Sequence, residues 1–104
     1  MDKEEFISIN NIENETIILE PFEVFKKGIV GVNEGRNKII YSYQALAEAL
    51  AESYEKEWNE DENNKLFEKP DFYFDACEWL DYNTLRSLQY MGENKPEIIY
   101  EVEL

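Results

Sequence analysis

Two separate stretches of the chain carry residues that could together hold a metal ion. Asp71 and the tripeptide Glu93-Asn94-Lys95 supply the Asp and the Glu-x-Lys with which restriction-type nucleases bind magnesium. Their context argues against that use. Asp71 follows a proline at the predicted start of a helix, whereas Lys95 precedes Pro96 in a predicted turn rather than lying on a strand. We therefore assign no catalytic residue and no metal site.

The chain has no histidine and a single cysteine, Cys77. Without histidine, Ser-His-Asp and Cys-His catalysis and histidine-ligated zinc sites are excluded. Cys77 lies beside Ala76 and at helical spacing from Leu80, which predicts a small thiol packed at the core. The glycines do not form a phosphate-binding loop before a helix. We expect a protein that is not an enzyme and has no cofactor.

Acidic residues dominate the charge, with 24 Asp and Glu against 10 Lys and Arg and a net charge of −14. The excess is uneven, because residues 1–47 carry a net charge of −3 and residues 48–104 a net charge of −11. Such a field repels nucleic acid and anionic membranes and attracts basic surfaces. We expect no direct contact with nucleic acid or membrane, and a basic protein partner such as a nuclease or a repressor.

One face of the first predicted long helix carries a row of glutamates, Glu48, Glu52 and Glu55. Their helical spacing is about 4.5 to 6 Å along the axis. Phosphates along one DNA strand are spaced similarly, to within about 2 Å, so such a row can imitate a DNA backbone. The acids continue past the predicted helix end with four more residues: Glu57, Glu60, Asp61 and Glu62. We predict that these seven bind the partner; the alternative is a solvated face that only keeps the protein in solution.

Two main helices should position these acids. The first runs from about residue 43 to about residue 57, with Ser42 as its N-cap and an apolar stripe at helical spacing. The second covers about residues 72–90, opened by Asp71 as N-cap, with Asn83 as the cap of a short terminal piece and Gly92 at its end. Residues 59–65 between the helices are polar and predict an exposed loop.

The remaining segments predict a small antiparallel or mixed sheet with both helices on one face, an α+β fold. Its strands would be two N-terminal runs (6–9 and 16–19), a hairpin over 29–41 and a C-terminal strand over 98–103. Gly35 would supply the positive φ of the hairpin turn. The short segment after Pro21 could form a single helical turn.

The length of 104 residues predicts a single domain over residues 1–104. The charged N-terminus lacks the apolar core of a signal peptide, and no apolar run is long enough to span a membrane. One thiol cannot form an internal disulfide. These features favour the cytoplasm of a bacterial cell or of an infected host.

The segments IVGVNEGRNKIIYSYQALAEAL and ACEWLDYNTLRSLQYMGENKPEIIY resemble a family of small uncharacterised proteins of Firmicutes, gut bacteria and their mobile elements. The similarity covers about two thirds of the chain and centres on a Tyr-Asn-Thr-x-Arg block followed by Tyr-Met-Gly-Glu. The family has no assigned activity, so the resemblance implies a fold and a mobile-element origin but no mechanism.

Tyr82, Asn83 and Arg86 of the Tyr-Asn-Thr-x-Arg block form a possible second site. The competing interpretation is a structural corner in which Asn83 caps a helix and Arg86 pairs with Glu78 or Asp81. Exposed aromatic residues at helix ends, Trp58, Tyr73 and Tyr82, are candidate binding anchors.

Three functions stay open at this point. The first is an acidic binding protein of phage or mobile-element origin that blocks a basic nucleic-acid-handling protein as a DNA mimic, of the anti-CRISPR or anti-restriction type. The second is a structural or interaction domain, possibly homodimeric, whose acidity serves solubility. The third is a carboxylate-based, metal-dependent hydrolase.

Overall fold

Four α-helices and a three-stranded mixed sheet make up the fold, in a computed structural model that describes all 104 residues. The helices are α1 (Lys3–Ile9), α2 (Phe22–Phe25), α3 (Tyr43–Glu60) and α4 (Phe72–Trp79). The strands are β1 (Ile29–Val32), β2 (Ile39–Ser42) and β3 (Glu97–Ile99). Short 3₁₀ turns cover Lys26–Gly28, Glu62–Leu66 and Leu88–Tyr90, and a π-helical segment covers Leu80–Leu85. The α+β prediction is confirmed.

The sheet has the order β1-β2-β3, with β1 and β2 antiparallel and β2 and β3 parallel. The predicted hairpin is confirmed, and a bulge between Ile29 and Gly31 offsets its register. The turn differs from the prediction, because Arg36 and not Gly35 adopts positive φ, at 57°. Two contacts hold Arg36 there. Its guanidinium donates to the carbonyl of Asn10, and its own carbonyl accepts from the N–H of Glu13 at 2.9 Å.

The two predicted N-terminal strands are wrong. The first apolar run lies in α1, where the Asp2 carboxylate accepts a hydrogen bond from the N–H of Glu5 and Phe6 is buried against Phe22 at 5.7 Å between ring centroids. N-terminal acids also suit the positive end of a helix dipole. The second run has no ladder partner; instead the N–H of Leu19 donates to the hydroxyl of Tyr41. The helical turn after Pro21 is confirmed as α2.

Helix α3 begins at its predicted cap. The hydroxyl of Ser42 accepts from the N–H of Ala45 at 3.1 Å and donates to the Glu101 carboxylate at 2.9 Å. The helix extends to Glu60, so the predicted exposed loop is shorter than expected and partly a 3₁₀ turn. Its fully buried residues all lie in the first half: Leu46, Ala47, Ala49 and Leu50.

The second predicted helix is only partly an α-helix. Asp71 caps α4 as predicted, but the chain passes into the π-helical segment at Leu80, and Gly92 ends the region at φ 83°. Ala76, Leu80 and Thr84 are buried in turn at a spacing of four residues. Over the eight residues from Ala76 to Thr84 a regular α-helix would rotate by about 80°, which would move Thr84 towards the edge of the buried stripe. The i→i+5 bonds of the π-helix hold more residues per turn and keep Thr84 closer to the middle of the stripe.

Strand β3 is shorter than predicted and ends at Ile99. Its partner β2 ends at Ser42, where the chain turns into α3, so the ladder cannot continue. The side chain of Gln44 replaces it, accepting from the N–H of Glu101 at 2.9 Å and donating to its carbonyl at 3.2 Å.

A cluster of 12 buried apolar residues joins α1, α2, the sheet, α3 and α4 into one core. Cys77 packs half-buried against this cluster, as predicted. None of the helices is both long and apolar enough to cross a bilayer.

Candidate functional site

All seven of the predicted partner-binding acids are exposed, but they do not share one face. Glu48, Glu52 and Glu55 form the predicted row on the outer side of α3, and Glu60 lies beside Glu52 and Glu55 at its end. Glu57 projects to the other side of the helix, because it is two residues from Glu55 and a helix turns about 100° per residue. We call Glu48, Glu52 and Glu55 the outer row.

Lysines partly neutralise the outer row. Lys27 lies 3.2 Å from the Glu52 carboxylate, and Lys69 lies 3.6 Å from that of Glu55. Both pairs are well exposed, so each contributes little to stability and can open at small cost. The outer row therefore presents one unpaired carboxylate, Glu48. Its other two, Glu52 and Glu55, are paired with lysines that a more strongly basic surface could displace.

A groove of about 700 Å³ lies between the second half of α3, α4 and the π-helical segment. Its aromatic lining consists of Tyr54, Trp58, Phe72, Trp79 and Tyr82. Its carboxylates are Glu57, Asp61, Asp75 and Glu78. We call it the aromatic–acidic groove. Two of the predicted partner-binding acids, Glu57 and Asp61, thus lie here, away from the outer row.

The groove forms because α3 extends beyond the buried core. The stripe that buries Leu46 and Leu50 continues at helical spacing through Tyr54 and Trp58, which are only half-buried. Trp58 meets Phe72 of α4 edge to face, with ring centroids 6.2 Å apart, and the Asn64 side chain donates to the Trp58 carbonyl at 3.1 Å. These contacts fix one wall.

Trp79 anchors the opposite end of the groove. Its ring stacks on that of the buried Phe25, with centroids 6.0 Å apart, yet 38% of the side chain stays exposed. The indole is thus held by the core while part of its surface remains open to a ligand.

None of the four groove carboxylates takes part in an ion pair. Asp61 accepts a hydrogen bond from the N–H of Asn63 at 3.0 Å. Burial raises the pKa of the Tyr54 phenol, and the negative charges of Asp75 and Glu57 raise it further. The same charges that disfavour a phenolate favour a cation in this position.

The predicted second site is placed differently from either interpretation. Arg86 forms no ion pair with Glu78 or Asp81; its guanidinium lies over the Tyr82 ring, 4.7 Å from the centroid. Asp81 instead accepts a hydrogen bond from the Tyr43 hydroxyl at 3.0 Å. Burial raises the pKa of Tyr43, and the neighbouring Cys77 and Asp81 raise it further. An exposed arginine gains a cation–π contact at little desolvation cost.

Asn83 does not cap a helix. It lies inside the π-helical segment. Its side-chain amide donates to the Trp79 backbone carbonyl at 3.0 Å, and its backbone carbonyl accepts from the Ser87 hydroxyl at 2.8 Å. Asn83 thus supports the backbone of the segment. Tyr82 is the member of this block that lines the groove, and it is 71% exposed.

No three carboxylate or thiol groups lie close enough together to hold a metal ion. Asp71 is committed to its cap, accepting from the N–H of Phe74 at 3.0 Å. Glu93 and Asn94 lie beside the N-terminal acids Glu13 and Glu15.

Sequence reasoning does not assemble the groove, although it identifies Trp58 and Tyr82 as candidate anchors. It does not single out Asp75 and Glu78. The available signal is the apolar stripe of α3, which continues to Trp58 beyond the last small core residue, Ala51.

The chain matches no protein-family model, no curated protein and no solved structure.

Proposed function

We propose that this is a non-enzymatic acidic binding protein that occupies the nucleic-acid-binding surface of a basic, nucleic-acid-handling protein. The observation that carries the proposal is the segregation of charge: residues 48–104 hold a net charge of −11, and all seven acids from Glu48 to Glu62 point to solvent. Five of these acids lie on α3, and Glu48 lies in the half of the helix that the core holds in place, so little conformational freedom is lost when it binds.

The partner's chemistry follows from this surface. A protein that binds DNA offers clustered Lys and Arg side chains spaced for phosphates. The outer row presents carboxylates at a comparable spacing on a helix whose opposite face is buried. Resemblance to a family of mobile-element proteins supports a phage or mobile-element origin, whereas the target, a nuclease of restriction or CRISPR systems in the cytoplasm, is inferred from the charge of the surface.

The test is a titration of the purified protein into restriction and CRISPR nucleases while cleavage of a DNA duplex is followed. Stoichiometric inhibition, relieved by excess DNA, is expected for at least one nuclease class. Binding should weaken by on the order of a thousandfold between about 50 mM and about 200 mM salt if the protein replaces several phosphates. Inhibition that does not change with salt concentration would contradict the electrostatic account.

Charge reversal locates the surface. Glu48→Lys, Glu52→Lys and Glu55→Lys together should abolish inhibition. A matched control reverses three exposed acids outside the helical half, Glu13, Glu15 and Glu34, and changes the net charge equally. If both triple variants lose inhibition alike, total charge matters rather than the outer row. If both triple variants bind and inhibit as strongly as the wild type, and sedimentation shows a dimer, a self-associating domain is the better description.

A further inference from the structure

The aromatic–acidic groove combines unpaired carboxylates with aromatic rings, two features that seldom serve the fold alone. Its four carboxylates have no lysine or arginine among the residues that line the groove, and none of them is ion-paired. The outer row, in contrast, has Lys27 and Lys69 as internal partners. The residues that line the groove thus supply no positive charge of their own, and Arg86, over the Tyr82 ring, lies outside this lining.

Aromatic rings between the carboxylates narrow the choice of cation. A strongly hydrated metal ion gains little from indole and phenol rings, whereas an organic cation binds their faces. A guanidinium suits both components, because it is weakly hydrated, stacks on rings and forms paired hydrogen bonds with a carboxylate. Tyr82 already carries one such contact, with the guanidinium of Arg86 at 4.7 Å.

The size of the groove indicates a peptide rather than an isolated side chain. The groove is open to solvent along its length, and its volume of about 700 Å³ is in the range of sites that take drug-sized ligands. An arginine with its chain neighbours fits that space.

We propose that the aromatic–acidic groove receives an arginine side chain from a short exposed segment of the basic partner. This inference rests on the proposed function, since it names the residue type through which that partner is held. The outer row supplies long-range attraction, and the groove supplies a desolvated anchor of the kind that dominates interface energies.

The groove contains its own optical probe. The chain has two tryptophans, and both Trp58 and Trp79 line the groove. Tryptophan fluorescence therefore reports groove occupancy.

The experiment titrates the protein with a capped peptide of alternating arginine and glycine. Two matched peptides replace arginine by lysine or by the neutral isostere citrulline. We expect a saturable fluorescence change with the arginine peptide, weaker binding of the lysine peptide by about tenfold, and no change with citrulline. Fluorescence anisotropy of labelled peptide measures binding anywhere on the protein.

Two double variants give the matched comparison. Asp75→Asn with Glu78→Gln removes two groove charges, and Glu13→Gln with Glu34→Gln removes two exposed charges outside both the groove and the outer row. Since these side chains are all exposed, both variants should fold, which circular dichroism checks. The groove pair should weaken arginine-peptide binding at least about tenfold, whereas the control pair should weaken it less than about threefold.

Three results would overturn the proposal. Anisotropy could show binding without a change in tryptophan fluorescence, which would place the peptide elsewhere and leave the proposed function intact. The two double variants could lose binding equally. Free spermidine could compete as well as the peptide at equal charge, which would assign the groove to small polyamines. Conversely, peptide binding in the groove without inhibition of any nuclease would retain the arginine site and reject the proposed function.

Discussion

The hydroxyl oxygen of Tyr41 accepts a hydrogen bond from the backbone N–H of Leu19 at 3.0 Å inside the core. Tyr41 is fully buried in β2, and Leu19 lies in a segment that pairs with no strand. A side-chain hydroxyl thus replaces a strand neighbour and ties the N-terminal segment to the sheet.

Tyr41→Phe should lower the free energy of unfolding at neutral pH by about 1–3 kcal/mol, because it leaves the buried N–H of Leu19 without an acceptor. Urea denaturation measures the change. An exposed tyrosine, Tyr90, offers the control, and Tyr90→Phe should leave the midpoint unchanged. Equal stability of wild type and Tyr41→Phe would mean that Leu19 finds another acceptor.

Alkaline pH should destabilise the protein through the same residue. Burial raises the pKa of Tyr41 from 10.0 to about 12. The unfolded chain therefore releases this proton first, so the stabilisation is complete below pH 10 and is lost as the pH rises through about 12. The loss amounts to roughly 2 to 3 kcal/mol at about 1.4 kcal/mol per pKa unit. Tyr41→Phe should decline less steeply over this range, although Tyr43, Tyr54 and Tyr73, whose pKa values are also raised, keep some dependence.

Gly28 should tolerate no side chain. A Cβ atom there would lie 2.5 Å from Leu46 Cδ2 and 2.8 Å from its Cγ, and Leu46 is itself buried. Gly28→Ala should cost about 1–3 kcal/mol through overpacking. Gly31→Ala is the matched control, since a Cβ atom at Gly31 would meet no neighbouring atom within 4 Å, and its effect should stay within about 0.5 kcal/mol. Similar losses for both variants would contradict the packing argument.

The pKa of the Tyr54 phenol reports the electrostatic field inside the groove. Asp75→Asn should lower the pKa of the Tyr54 phenol towards its ordinary value, while the effect of burial remains. Carbon-13 labelling of the tyrosine rings lets each phenol be titrated by NMR. Glu48→Gln is the cross-control, because Glu48 acts on Tyr73 and not on Tyr54. An unchanged Tyr54 pKa in the Asp75→Asn variant would show that water screens the charges in the groove.

Added salt should stabilise the free protein. The net charge of −14 opposes folding by self-repulsion, and the four ion pairs of the chain all lie at the surface. Screening should therefore remove more repulsion than attraction. Urea midpoints measured at rising sodium chloride should increase, and a falling midpoint would mean that the ion pairs outweigh the net charge.

Local signals predict the parts of the fold that local forces decide. Ser42 and Asp71 can be identified as caps because each supplies a side-chain oxygen immediately before an apolar helical stripe. The run from Phe6 to Ile9 is too short for its period to separate helix from strand, and the outcome depends on the Asp2 cap and on Phe22, which lies far along the chain. The switch to a π-helix has no signal of its own in the sequence, because the spacing of four between Ala76, Leu80 and Thr84 also suits a regular α-helix.

The candidate site is less predictable because it depends on contact between two helices. The outer row follows from spacing on α3 alone, and so does the exposure of its acids. The groove requires Trp58 to meet Phe72, and no pattern within either helix specifies that meeting. Arg86 illustrates the same limit, since an aromatic ring four residues earlier outcompetes the carboxylates that charge alone would choose.

Helix α3 is continuous in its hydrogen bonds but divided in its burial, with every fully buried residue at or before Leu50. Opening its last turns exposes none of the core, whereas opening its first turns requires the whole molecule to unfold. Backbone amides of residues 46–50 should therefore exchange with deuterium only through global unfolding, and those of residues 55–60 through local fraying. The outer end of the helix behaves as a separate cooperative unit, and a ligand held against Trp58 would slow exchange there without altering it at Leu50.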